Sequence, residues 1–120
     1  MVRSRKDPHI TQLETERVHA LLKLERLHET LRSEVDPEFD EADPDLVEQE
    51  KALALVETWE RKLASIEHAL QQAQKGAYGH CESCGEPIDP ARLEAVPETT
   101  LCLQCKLIAE RQARTNAIYA

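Results

Sequence analysis

Two stretches of the chain carry apolar or small residues at alternating steps of three and four, the pattern of helices that pack along a seam. In the first, six of seven seam positions are apolar: Ile10, Leu13, Arg17, Ala20, Leu24, Leu27 and Leu31. In the second, all eight are apolar or small: Ala52, Val56, Trp59, Leu63, Ile66, Leu70, Ala73 and Ala77. Because a short acidic segment joins the two stretches, we predict an antiparallel coiled-coil hairpin. The alternative is a dimer that uses the same seams between chains.

The ends of the two helices are indicated by Asp-Pro steps, because Asp is a good N-cap and Pro suits the first helical position. Three such steps are candidate starts: Asp7-Pro8, Asp36-Pro37 and Asp43-Pro44. The first predicts the start of helix one, and the third is the best start for helix two. The middle step predicts either a short turn at the tip or an earlier start of helix two. Gly76 and Gly79 predict the end of helix two, since glycine tolerates the left-handed backbone conformation.

The acidic residues are concentrated between the two helices. The chain has 15 Lys and Arg against 23 Asp and Glu, a net charge of −8. Nine of the acidic residues lie between positions 34 and 50, with no basic residue among them: Glu34, Asp36, Glu38, Asp40, Glu41, Asp43, Asp45, Glu48 and Glu50. The sequence therefore predicts a nearly neutral body with a negative hairpin tip, and such a balance disfavours general binding to a nucleic-acid backbone.

Helix one has a wider apolar face than a hairpin seam requires. Three residues widen it: Val18, Leu21 and Leu22. We expect the C-terminal segment to cover this face with its own apolar residues: Leu103, Leu107 and Ile108. Arg17 interrupts the seam, and its guanidinium is expected to reach Glu57 or Glu60 while its stem lies on apolar surface.

Four cysteines form two C-x-x-C pairs, Cys81 with Cys84 and Cys102 with Cys105, separated by 17 residues. Two thiolates spaced in this way reach one ion, and two pairs complete a tetrahedron, so the spacing predicts one structural zinc ion. Four thiolates leave no open position for catalysis, and the spacing alone also allows iron. A helical pattern after the second pair, running towards Arg114, predicts a C-terminal helix.

Several classes of protein are disfavoured by what the sequence lacks. No apolar run approaches the roughly 20 residues of a membrane span, and the basic start is not followed by the apolar stretch of a secretory signal. We therefore expect a cytoplasmic protein with reduced thiols. No Ser/His/Asp set, P-loop or dinucleotide motif is present, so we expect no enzymatic activity.

Three segments around the cysteines resemble the zinc finger of the DksA/TraR family of bacterial transcription factors. They are GAYGHCESCGEPI at residues 76–88, ARLEAVP at 91–97, and LC followed by CK within 101–106. Residues 40–43, Asp-Glu-Ala-Asp, look like the acidic coiled-coil tip of that family. The resemblance extends from about residue 36 to residue 114 and is most specific around the cysteines.

The resemblance implies a partner and a mechanism. Members of this family bind RNA polymerase and not a promoter sequence, and their coiled coil enters the secondary channel so that the acidic tip alters promoter-complex stability. By this resemblance the tip contacts are Asp40, Ala42 and Asp43, although Asp43 is equally suited to capping helix two. The partner would be bacterial RNA polymerase, met by a monomer without sequence-specific DNA binding.

The same resemblance bears on nucleotide binding. Lys106 matches the basic residue after the last cysteine, and Lys106 and Arg92 are candidates for contact with a nucleotide or with polymerase. Family members that respond to guanosine tetraphosphate have an arginine where this chain has Val96. A response to that nucleotide is therefore doubtful.

The predicted fold class is all-α with a small zinc ribbon. Residues 1–78 form the antiparallel coiled-coil hairpin, with its acidic tip near 34–50, and residues 79–120 form the four-cysteine zinc finger and the C-terminal helix. The alternative functions are a zinc-ribbon DNA-binding protein, with phosphate contacts from basic residues near the finger, and a coiled-coil adaptor with a merely structural metal.

Overall fold

The computed structural model describes residues 7–33 and 44–119. Four helices account for most of these residues: α1 Pro8–Ser33, α2 Pro44–Gln74, α3 Pro90–Ala95 and α4 Leu103–Tyr119. In the described ranges there is no named strand, only an isolated antiparallel bridge between His80 and Pro87. The all-α prediction is confirmed, and the small zinc ribbon amounts to this one bridge.

Helix α1 starts where the sequence predicts. The backbone N–H of His9 donates to the Asp7 carboxylate at 2.8 Å, and the N–H of Ile10 donates to the Asp7 carbonyl at 2.9 Å. Asp7 is therefore the N-cap, and Pro8 takes the first position, where no N–H is needed. Helix α2 begins at Pro44, as predicted, whereas the earlier step at residues 36–37 lies outside the described residues.

The end of α2 also follows the sequence signal. The helix ends at Gln74, and Gly76 follows with φ 75°, a left-handed conformation that favours glycine. The N–H of Ala77 then donates to the Gln72 carbonyl at 2.9 Å, which satisfies a carbonyl in the last turn. The chain can therefore turn out of α2 and enter the cysteine region directly.

Helices α1 and α2 pack antiparallel along the predicted seam. The buried seam residues come from both helices: Leu13, Ala20, Leu24, Ala52, Val56 and Ile66. Leu13 clusters with Ile66 and Ala69, and the His19 and Trp59 rings meet edge to face with centroids 5.6 Å apart. The seam thus lies within one chain, and the hairpin prediction is confirmed.

The expected partner of Arg17 was wrong. Its guanidinium Nη2 lies 3.2 Å from the Glu67 carboxylate, and its Nε donates to the same oxygen. The antiparallel register explains the difference, because it places residue 17 opposite residue 67 instead of opposite Glu57 or Glu60. Arg17 remains about 42% exposed, so its charged end is solvated beside the seam.

The expected cover for the wide face of α1 is also wrong. Val18, Leu21 and Leu22 are 40–55% exposed, and the apolar residues of α4 are just as open: Leu103 55%, Leu107 47% and Ile108 51%. Within the described ranges, α1 with α2 is the one helix pair in extensive contact. Because α4 begins at Leu103, inside the second cysteine pair, its first turn belongs to the finger, and it does not pack along the hairpin.

Tyr78 joins the hairpin to the finger. It packs against the Leu13 cluster of the hairpin and against a second buried cluster formed by Cys81, Ile88 and Leu93. It lies at the predicted boundary between residues 1–78 and 79–120. In the part of the chain that the structure describes, no helix has the length and apolar character needed to cross a membrane.

Candidate metal centre and its contact with the hairpin

The first cysteine pair sits on a tight backbone knuckle. The N–H of Cys81 donates to the Glu86 carbonyl at 2.8 Å, and the N–H of Gly85 donates to the Cys81 carbonyl at 2.9 Å. Gly85 has φ 81°, so the turn after Cys84 needs a residue that accepts the left-handed conformation. The glycine that follows the pair in the sequence therefore closes the first knuckle.

The second pair lies at the start of α4. The N–H of Lys106 donates to the Cys102 carbonyl at 2.9 Å, and the N–H of Cys105 points at the Cys102 sulfur at 3.5 Å. The two knuckles are joined by the N–H of Glu82, which donates to the Thr100 carbonyl at 2.9 Å. The N-terminal dipole of α4 therefore faces the sulfur cluster, where it favours negative charge.

The four sulfurs have the spacing of a single-ion site. The sulfurs of Cys81, Cys84, Cys102 and Cys105 all lie within 4.8 Å of one another, and those of Cys84 and Cys102 are 3.8 Å apart. A tetrahedral zinc ion with Zn–S distances of about 2.3 Å places its sulfurs about 3.8 Å apart. The donor set and its geometry therefore fit zinc held by four thiolates.

Cys81 is the cysteine most ready to bind as a thiolate. Burial raises its pKa, but backbone N–H groups of Cys102, Cys84 and Ser83 outweigh burial and lower the pKa to about 6. Cys81 is also the buried member of the four, with 3% exposure. It therefore presents a negative sulfur at the base of the cluster at neutral pH.

The thiols of Cys84 and Cys105 hold their protons more tightly, because neighbouring thiols crowd them. The Glu86 N–H lowers the pKa of Cys84, but the neighbouring Cys81 and Cys102 thiols and desolvation leave it raised overall. The Cys102 and Cys81 thiols raise the pKa of Cys105 to about 12. Like charges at this separation disfavour one another, so a cation is needed before all four sulfurs can be thiolates together.

A small apolar core supports the cluster from below. Cys81, Ile88 and Leu93 are buried together, and Leu93 comes from α3. Asp89 caps α3 by accepting from the N–H of Ala91 at 2.9 Å. The sequence analysis did not predict α3, although the Asp89-Pro90 step is the same start signal that it used for α1 and α2.

A charged cluster ties the finger to both hairpin helices. The Lys62 ammonium on α2 lies 2.5 Å from the Glu98 carboxylate of the finger and 3.9 Å from Glu16 on α1. The other Glu98 oxygen is buried without a hydrogen-bond partner among the described residues. Because Lys62 is only 38% exposed, this contact is better shielded from solvent than an ordinary surface ion pair.

Tyr78 adds a hydrogen bond to this junction. Its hydroxyl donates to the Pro97 carbonyl at 2.9 Å. Burial raises the pKa of Tyr78 to about 12, with further contributions from the negative charges of Asp7, Glu98 and Glu16. The hydroxyl therefore remains protonated and able to donate throughout the physiological pH range.

A second polar contact lies between α2 and the first knuckle. His68 Nε2 is 2.9 Å from one Glu82 oxygen and 3.1 Å from the other, and the Thr100 hydroxyl donates to Glu82 as well. The hydrogen bond from Thr100 lowers the pKa of Glu82, and His68 and Lys75 lower it further against desolvation. This carboxylate therefore links α2, the first knuckle and the loop before Cys102.

The structure brings together some of the remaining candidate residues. Arg92 and Lys106 line one cavity of about 190 Å³ between α2 and the finger, together with Ser65 and His68. The Nε of Arg92 donates to the Leu101 carbonyl at 3.2 Å, so part of its guanidinium supports the loop. The tip candidates Asp40, Ala42 and Asp43 lie outside the described residues.

The junction residues were missed by the sequence analysis. Lys62 and His68 fall between the seam positions of α2, and the heptad pattern predicts only that such residues face away from the seam. Their finger partners Glu82 and Glu98 lie in loops without periodicity. The adjacency of Glu82 to Cys81 was the available signal, because it places that carboxylate at the side of the first knuckle.

Comparison with known families assigns the region just described. Residues 76–111 match the family model described as the prokaryotic dksA/traR C4-type zinc finger. This range contains both cysteine pairs. The zinc-finger region of this chain is that of the DksA/TraR family. Together with the clustered sulfurs, this match shows that the metal is one structural zinc ion, and the predicted resemblance is confirmed.

Curated members of the DksA/TraR family are similar over part of the chain. The RNA polymerase-binding transcription factor DksA of Caulobacter vibrioides is 40% identical over 88 residues, which cover 72% of this chain and 62% of that protein. Its namesake from Escherichia coli K12 is 44% identical over 59 residues, 48% of this chain and 39% of that protein. The chain thus spans about three fifths or less of these relatives.

Solved structures of DksA/TraR proteins share the fold. Transcription factor DksA2 from Pseudomonas aeruginosa matches with a TM-score of 0.70 and 29% identity, covering 88% of this chain and 83% of that one. The RNA polymerase binding protein and transcriptional regulator Dks from Chlamydia trachomatis matches with a TM-score of 0.51 and 21% identity, over 91% and 95% of the two chains. The second likeness concerns the fold alone.

Proposed function

We propose that this protein binds bacterial RNA polymerase and regulates transcription, with no enzymatic activity of its own. The observation that carries the proposal is the similarity to curated proteins named RNA polymerase-binding transcription factor DksA, over 72% of this chain at 40% identity. The proposal assigns the structural zinc to the Cys81, Cys84, Cys102 and Cys105 thiolates. The ion holds the two knuckles together and so fixes the base from which the hairpin projects.

The hairpin is long enough to carry the acidic segment far from the zinc site. Helix α2 has 31 residues, which corresponds to about 46 Å at 1.5 Å per residue. Helix α1 ends and α2 begins on either side of the acidic segment, and the cysteines follow the opposite end of α2. A stiff negative arm of this kind suits a deep channel with positive walls, because complementary potential steers entry. We propose that this channel is the secondary channel of the polymerase.

At the end of the arm, the proposed contacts are Asp40, Ala42 and Asp43. Carboxylates delivered beside the catalytic region would change the stability of promoter complexes through their charge. The finger and α4, with Arg92 and Lys106, would stay at the channel entrance. A narrow channel admits one hairpin at a time, so the polymerase-bound form is a monomer that makes no sequence-specific contact with DNA.

The proposal is tested with purified zinc-loaded protein and bacterial core RNA polymerase. We expect the two to co-migrate in gel filtration at micromolar concentration, and we expect the protein to change the lifetime of promoter complexes. Asp40→Asn should reduce the effect on lifetime at least about tenfold, as the loss of one charge contact of about 1.4 kcal/mol would. Binding should remain largely intact, because the finger contacts are unchanged.

Glu50→Gln is the matched control, since it removes one negative charge from an exposed position on α2 near the same end. It should leave promoter-complex lifetime almost unchanged. The absence of a polymerase complex would refute the proposal. A salt-dependent complex with duplex DNA that survives removal of residues 34–50 would favour the zinc-ribbon DNA-binding alternative instead.

A further inference from the structure

Two apolar helix faces are left uncovered by the residues that the structure describes. One is the α1 face, made by Val18, Leu21 and Leu22, and the other is the α4 face, made by Leu103, Leu107 and Ile108; all six side chains are 40–55% exposed. Three apolar residues close together on one helix form a patch, unlike single exposed leucines, which need no explanation. Both faces are therefore available to a partner, since residues 7–33 and 44–119 do not cover them.

The charges beside the two faces are complementary. Glu25 lies four residues after Leu21 on α1, and Arg111 lies four residues after Leu107 on α4. Glu29 lies seven residues after Leu22, and Arg114 lies seven residues after Leu107. These four charged side chains are exposed. With the two helices parallel and Leu107 beside Leu21, Arg111 comes beside Glu25, and Arg114 comes opposite residue 28, next to Glu29.

We infer that the free protein pairs with a second copy of itself, with α4 of each chain on the α1 face of the other. The two complementary faces belong to the same chain, so a two-fold axis satisfies both at once in an isologous dimer. Two equivalent helix contacts also double the buried area of one, which favours a specific pair over a single weak contact. This self-association goes beyond the polymerase binding proposed above.

The dimer differs from the rival arrangement considered for the heptad seams. The seam residues Leu13, Ala20 and Ile66 are already buried inside one hairpin. The proposed contact uses exposed residues of α1 outside the buried seam and leaves the hairpin intact. It also differs from the expected monomer, because the α4 face is exposed and not packed on its own hairpin.

Sedimentation velocity of the full-length zinc-loaded protein under reducing conditions tests the inference. Between about 1 µM and about 0.5 mM, we expect the sedimentation coefficient to rise from the monomer to the dimer value. Leu22→Glu and Leu107→Glu should each weaken dimerisation at least about tenfold, because each places a carboxylate in an apolar contact. Leu53→Glu is the matched control, since Leu53 is 55% exposed on α2, outside both faces.

A charge exchange tests the parallel register and keeps the test decisive if a glutamate variant does not fold. Glu29→Arg and Arg114→Glu should each weaken the dimer, and the double variant should recover most of the lost affinity. A protein that stays monomeric up to about 0.5 mM overturns the inference, whether α4 is open or folded onto its own chain. A dimer that Leu53→Glu disrupts as strongly as Leu22→Glu also overturns it, because the contact would then lie elsewhere.

Discussion

The hairpin and the finger keep apolar surface from water by different means. The hairpin repeats one kind of contact along two long helices, with small buried residues such as Ala20 and Ala52 alternating with larger ones such as Leu24. The finger buries only Cys81, Ile88 and Leu93 in its own cluster. A core of that size cannot hold a fold of about forty residues without a metal or disulfides.

The two regions should therefore respond differently to the loss of a packing contact and to the loss of the ion. The hairpin should stay folded when any one seam contact far from the finger is lost, because its buried residues are spread along both helices. The finger should depend on its ion almost entirely, because the ion replaces most of a core. Tyr78 and the Lys62–Glu98 contact lie between the two regions, so changes there should affect both.

Removal of the metal should separate the two regions most clearly. A strong chelator, or Cys81→Ser, should unfold residues 79–102, because zinc binding contributes about 10–16 kcal/mol to the folding of small fingers. Much of the helical signal of α1 and α2 should remain, because their seam does not involve the ion. Far-UV circular dichroism and a metal assay check this, and the metal assay should give one zinc per chain. Glu86→Gln, which changes an exposed non-ligand side chain in the same knuckle, is the control. Complete loss of helix on chelation would contradict the separation.

Zinc affinity should rise with pH. With the pKa of Cys84 raised and that of Cys105 raised to about 12, both sulfurs carry protons at neutral pH and must release them when the ion binds. Cys81, with its pKa lowered to about 6, releases a proton only at more acidic pH. We therefore expect at least two protons released per zinc near pH 7, and one more where Cys81 is also protonated, below pH 6. Competition with a chelator across this range measures the slope. A pH-independent affinity would contradict the assignment.

Truncation in the seam should weaken the hairpin without loss of zinc. Ile66 is fully buried, and Ile66→Ala should cost about 2–5 kcal/mol in the free energy of unfolding, through lost burial and the cavity left behind. Urea unfolding followed by Trp59 fluorescence measures the loss. Leu53→Ala, at an exposed position on the same helix, should change stability by less than about 0.5 kcal/mol. Equal losses from the two variants would show that the seam is not the core.

A subtler change at Tyr78 should affect both regions. Tyr78→Phe keeps the ring in both clusters but removes the hydrogen bond to the Pro97 carbonyl, so we expect a loss of about 1 kcal/mol. The zinc affinity and the urea midpoint of the hairpin should both decrease slightly. Thr115→Ala, which removes an exposed hydroxyl on α4 away from both clusters, serves as the control for loss of a hydroxyl. If only one of the two readouts changes, Tyr78 does not couple the regions.

Local sequence rules predicted each region taken separately. The cap at Asp7, the seam residues and the cysteine spacing depend on residues a few positions apart, and the structure agrees with them. The partner of Arg17 depends on the register between α1 and α2. The exposure of α4 depends on the direction in which the chain leaves the second knuckle. The same applies to His68 with Glu82, because their contact forms only when the closed finger meets α2.

The regular seam has a consequence for how such an arm can vary. The hairpin repeats every seven residues. Removing one heptad from each helix on the tip side of Trp59 would therefore shorten the hairpin by about 10 Å, and every remaining side chain would keep its orientation towards or away from the seam. The junction at Lys62, His68 and Tyr78 lies on the finger side of that cut. The hairpin can therefore become shorter or longer in steps of one heptad while the zinc-bearing base is unchanged.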